Sequence, residues 1–145
     1  MLAATLIATP AAADWNYTTW RMTPAEVVAA SAGAAVLEDR PGQPGQTPIK
    51  VVATQMIDGM PVEVIFMFDQ GQSLSIVQLQ GRQGQCTRIL DGLSGKYGRA
   101  ERSGSGFARW RSDAENVGVM YISNPETGGC LVTYRPVRLP DSTGL

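Results

Sequence analysis

The chain has 145 residues, 43% of them hydrophobic, with 12 Lys and Arg against 13 Asp and Glu and a formal net charge of −1. That length suits one domain with one hydrophobic core, and near-neutrality argues against bulk electrostatic binding to nucleic acid or an anionic bilayer. The sequence contains no His, which removes the commonest metal ligand and general base together; no metal and no cofactor are expected, and no apolar run reaches the length of a membrane-spanning helix.

The first residues, "MLAATLIATPAAADW", combine an apolar run with small residues at −3 and −1 of a cleavage site after Ala13. They read as a signal peptide over 1–13 with Asp14 as the first mature residue. The basic n-region is missing, and a start upstream of Met1 would supply it. The chain is therefore expected to be periplasmic or secreted. Two cysteines, Cys86 and Cys130, fit that compartment as one disulfide; two buried free thiols are the other reading.

Trp15, Tyr17 and Trp20 precede the first helix as a staple over the core or as an exposed recognition patch. In "TTWRMTPAEVVAA" Thr23 is the N-cap, Pro24 opens the helix, and Glu26 completes a capping box. The helix is predicted to run to about Leu37 with Val27, Val28, Ala32, Ala35 and Val36 buried. Its small residues would let it lie close on a sheet. The Pro- and Gly-rich "EDRPGQPGQTP" must break it.

Three strands follow, Ile49–Ile57, Met60–Asp69 and Gln72–Gln80, joined at Asp58-Gly59 and Gln70-Gly71. These turns pair Ala53 with Val64, Val51 with Phe66, Val64 with Val77 and Val62 with Leu79, on the face assigned to the helix. The other face carries Lys50, Thr54, Glu63 and Gln78, but also Val52, Ile65, Met67, Leu74 and Ile76. A second helix is predicted over Cys86–Tyr97, stopped by Gly98. Strands are then expected at Phe107–Ser112, Asn116–Ser123 and Gly129–Arg135, with 136–145 as a loose tail. The fold class is α+β: two αβββ units over 14–135, forming an antiparallel sheet of about six strands with two helices on one face. Cys86 on the second helix should bridge to Cys130 on the last strand.

The stretch "TTWRMTPAEVVAAS", with "KYG", the lone Trp110 and the closing "CLVTYRP", resembles small exported bacterial proteins of BamE-like or β-lactamase-inhibitor-like helix-plus-sheet plan. Trp20, Met22, Thr23, Glu26 and Val27 carry the likeness, and Arg21 stands where that motif has Gly. The resemblance implies a fold and a compartment, and no function.

Without His, no Ser–His or Cys–His pair can be assembled. Glu63, the Asp113/Glu115 pair and the "GRQGQ" turn with Arg82 are the remaining candidate groups, each read first as surface or turn chemistry. Charge is uneven: residues 82–111 hold seven Arg or Lys against two acids, and 14–69 hold seven acids against three bases. Strand alternation puts Arg109, Arg111 and Arg135 on one outer face, able to grip carboxylates bidentately or simply to keep the strands solvated. The expected function is non-catalytic binding of a protein partner, or a homodimer, through the open sheet face. Val52, Ile65, Met67, Leu74 and Ile76 would be its apolar half and the three arginines its basic half. The alternative is a small-molecule or lipid carrier with its site between the first helix and the sheet; a hydrolase comes last.

Overall fold

The computed structural model describes residues 15–39, 49–69 and 72–138. The expected signal peptide, residues 40–48 of the Pro/Gly-rich break, the Gln70-Gly71 turn and the tail from 139 onward lie outside them.

The lead-in segment is part of the core. Trp15 and Thr18 bridge to each other, with the Thr18 hydroxyl donating to the Trp15 carbonyl at 2.7 Å. The Trp15 ring meets Phe66 edge-on at 5.4 Å and Tyr134 at 5.8 Å. Trp15 and Trp20 are both buried, so these aromatics are a staple and not an exposed patch. The next residues dock on the sheet, where Arg21 N–H donates to Leu74 O and Leu74 N–H to Met22 O.

Helix α1, Pro24–Ala30, starts as its sequence dictates: Glu26 N–H donates to the Thr23 hydroxyl, and Thr23 N–H to the Glu26 carboxylate. It ends seven residues before the expected Leu37. Ser31 caps it, and Ala32 and Gly33 turn back at φ 53° and 92°. Residues Ala35–Asp39 then form strand β1, paired with β2 (Ile49–Ile57) from Ala35↔Ala53 to Asp39↔Ile49. Ala35 is buried, but in the sheet; Val36 is 59% exposed. The Ala-rich run reads as helix by composition, yet a left-handed pair at 32–33 cannot continue one.

Strand β3 (Met60–Phe68) pairs with β2 in the predicted register, Val51↔Phe66 and Ala53↔Val64. Its pairing with β4 (Leu74–Gly81) is two residues away from prediction: Val64 faces Leu79, and Val77 faces Phe66. A shift of two keeps every side chain on its predicted face. One exception follows from a bulge. Met67 pairs with Ile76 and Phe68 with Leu74, leaving Ser75 as the extra residue. Leu74 is thereby turned into the main core and away from the outer face expected for it.

Helix α2, Cys86–Tyr97, occupies its predicted span with Ile89 and Leu93 buried and Gly98 at φ 79° as its stop. Strand β5 (Arg102–Gly104) was not foreseen. It is three residues long, fully exposed, and pairs with β6 (Phe107–Ser112). Strands β7 (Val117–Ser123) and β8 (Cys130–Arg135) complete the sheet.

The order is β1-β2-β3-β4-β8-β7-β6-β5, all antiparallel. The expected pair of αβββ units with about six strands is thus corrected to two αββββ units in one eight-stranded sheet. Each half is a helix and a four-strand meander, and the last strand of each lies beside that of the other at the centre. Buried residues of both helices join one core cluster with Val64, Phe66, Val119, Val132 and Tyr134. The expected disulfide forms between Cys86, at the start of α2, and Cys130, at the start of β8, with 5.8 Å between Cα atoms.

Candidate functional site

The face away from the helices holds the groups singled out for recognition, but its two halves differ from expectation. Ile65, Met67 and Ile76 are 6%, 3% and 7% exposed and form a second, small apolar cluster. Val52 is half-buried, and Leu74 lies in the main core. The exposed apolar patch expected on the first half is therefore absent among these five residues.

The second half of the same face is different. Pairing sets its side chains in cross-strand rows. Arg102 lies directly opposite Arg109, Arg109 opposite Met120, and Met120 opposite Thr133. In the next row Arg111 and Arg135 flank Gly118, which presents no side chain between them. A third row runs Phe107, Ile122, Leu131. All four arginines are exposed, and so are Phe107, Met120 and Ile122 at 36%, 37% and 46%.

Arg109, Arg111 and Arg135 therefore share one face, as alternation requires. Arg102 joins them, and it was missed because the polar Arg102-Ser103-Gly104 carries no strand signature. Arg111 is held at 2.9 Å by Asp113. Arg102 and Arg109 are like charges directly opposite on a sheet, an arrangement that destabilises unless an anion intervenes.

The other candidate groups resolve into structural roles. Glu63 is half-buried, opposite Thr54 and Gln80. Asp113 pairs with Arg111 in the β6–β7 turn, where Glu115 N–H donates to Ser112 Oγ. The "GRQGQ" turn is closed on itself: Arg82 N–H donates to Gln85 Oε1, and Gln85 Nε2 donates to Pro61 O. Among the described residues no cluster of three or more His, Cys, Asp or Glu could hold a metal, and no helix is long and apolar enough to cross a membrane.

No family model, no curated protein and no solved structure matches the chain.

Guanidinium groups on a rigid sheet can each take a carboxylate through two parallel N–H donors. Beside them, Met120, Phe107 and Ile122 supply the apolar contact that protein interfaces concentrate together with Arg. The surface can bind acidic groups presented on an apolar scaffold.

Proposed function

We propose that this chain is an exported, non-catalytic binding domain whose basic outer face on β5–β8 docks an acidic protein partner. The observation that carries the reading is the Arg102–Arg109 pair. Two cations face each other across strands with no acidic neighbour in their row, next to exposed Met120. Stability alone gives no reason for that placement; a carboxylate-bearing partner does. The Cys86–Cys130 disulfide and the small-residue site before Asp14 support export.

The test is retention of proteins from the native envelope fraction on the immobilised mature chain, with Arg109→Glu/Arg135→Glu as the matched variant. A specific protein should be held at low salt, released as ionic strength rises, and bound at least about tenfold more weakly by the variant. Sedimentation of the chain alone decides whether the acidic partner is a second copy, which would appear as a dimer that the variant dissociates. Retention unchanged by the double reversal, with both chains equally stable, overturns the proposal.

A further inference from the structure

On the helix side of the sheet, beside α2, lies a cleft of about 650 Å³ that shares Phe107 with the outer face and none of its arginines. Its construction follows from the end of the helix. Gly98, at φ 79°, turns the chain out of α2, and the next residues, Arg99 and Ala100, run along the rim towards β5. The carbonyl of Gly98 is taken by the Trp110 indole N–H at 2.9 Å. That bond pins Trp110, which is 2% exposed and backs the cleft from beneath.

The wall on the helix side is Leu90 and Ser94; the sheet side is Phe107, Trp110 and Tyr121, with the hydroxyl residues Ser103 and Ser123 beside them and Ala100, Gly104 and Gly106 leaving the space open. Tyr121 lies in the same wall, and its hydroxyl has no hydrogen-bond partner among the described residues. Arg99 is the single charged residue lining the cleft, and no described carboxylate pairs with it.

A concave surface of this size, with apolar side chains, three serine hydroxyls and one charge, has the mixed lining that small-molecule sites use. Its one charge is positive, which selects the sign of the ligand. We infer that the cleft between α2 and β5–β7 binds a small apolar carboxylate, its ring or alkyl chain lying against Leu90, Trp110 and Tyr121 and its carboxylate on Arg99. An amine would find no anion there, and a neutral ligand would leave Arg99 unused. The site is not the carrier cavity expected from the sequence, which was to lie between the first helix and the sheet. It is also independent of the outer-face arginines.

The test titrates the full mature chain with 3-phenylpropanoate, hexanoate and the uncharged 3-phenylpropanamide. Binding is followed by the NMR signal of the Trp110 indole N–H, the one bonded to Gly98. The two carboxylates should shift that signal saturably, and the amide should bind about fivefold more weakly. Arg99→Gln should erase the carboxylate-over-amide preference without moving the melting temperature. Ser94→Trp, on the exposed side of α2, should block all three ligands. Arg109→Glu/Arg135→Glu should bind them as the parent does, which separates failure here from failure of the partner proposal. An unmoved Trp110 signal at about 10 mM ligand, equal affinity for acid and amide, or a preference that survives Arg99→Gln overturns the inference.

Discussion

The indole N–H of Trp20 donates to the carbonyl of Asn116 at 2.9 Å, joining residues 96 apart in sequence. Asn116 sits in the β6–β7 turn at φ 53°, so the segment before the first helix is tied to the second half of the sheet. With Trp15 against Phe66 and Tyr134, this makes the lead-in a strap across both units.

Trp20→Phe keeps most of the ring and loses the donor, leaving a carbonyl without this bond. It should cost about 1 kcal/mol, and Trp20→Ala about 3–5 kcal/mol. Denaturant unfolding of the three chains checks both values. Equal stability of parent and Trp20→Phe would mean that the bond contributes nothing.

Gly81 ends β4 beneath the disulfide. A Cβ there would overlap Cys130 Sγ and come within 2.7 Å of Ile89 Cδ1. Its backbone φ is unremarkable, so the requirement for Gly at this position is spatial. Gly81→Ala should destabilise by about 1–3 kcal/mol through overpacking, and Ile89→Val should recover part of that loss in the double variant. Thermal melts of the two single variants and the double variant measure the coupling.

Alkaline pH should destabilise the chain through its buried tyrosines. Burial pushes the Tyr134 phenol up to about 12, partly offset by its hydrogen bond with Trp15. Tyr97 is raised as well, first by burial, then by Tyr134 and Glu115. In the unfolded chain these phenols ionise near pH 10. Above that the unfolded state sheds protons that the native state keeps, so stability is flat below about pH 10 and falls towards pH 12. Urea midpoints across that range should show the fall, and Tyr134→Phe should make it shallower.

Much of this architecture could be read from residue order, and the misreadings have definite causes. The capping box at Thr23 and Glu26, the Asp58-Gly59 hairpin and the span of α2 each depend on local chemistry, and two cysteines leave one possible intramolecular disulfide. Strand β1 was hidden because Ala and Val at 34–36 satisfy a helical pattern as well as an extended one, and only the left-handed Ala32-Gly33 pair separates the two. Strand β5 is too short and too polar to show a period. The bulge at Ser75 is set by tertiary pairing, and it alone sent Leu74 to the other face. Arg21 shows the reverse case. The resembled motif has Gly there, and the chain adopts φ 78° with Arg, in the region Gly favours, because the docking of Met22 on Leu74 over-determines the turn. On the functional side, the basic face was legible from alternation in β6 and β8. The burial of Ile65, Met67 and Ile76 was not, since strand alternation says which face a side chain occupies and not what lies over that face.

Docking of a partner on the basic outer face is tested by site-specific photocrosslinking in the native host. A photoreactive residue replaces Met120, at the centre of the arginine rows, and in a control replaces exposed Asp91 on α2. A discrete adduct is expected from position 120, none from position 91, and loss of the first when Arg109→Glu/Arg135→Glu is introduced. No adduct at 120, the same adduct from both positions, or one indifferent to the charge reversal would contradict it.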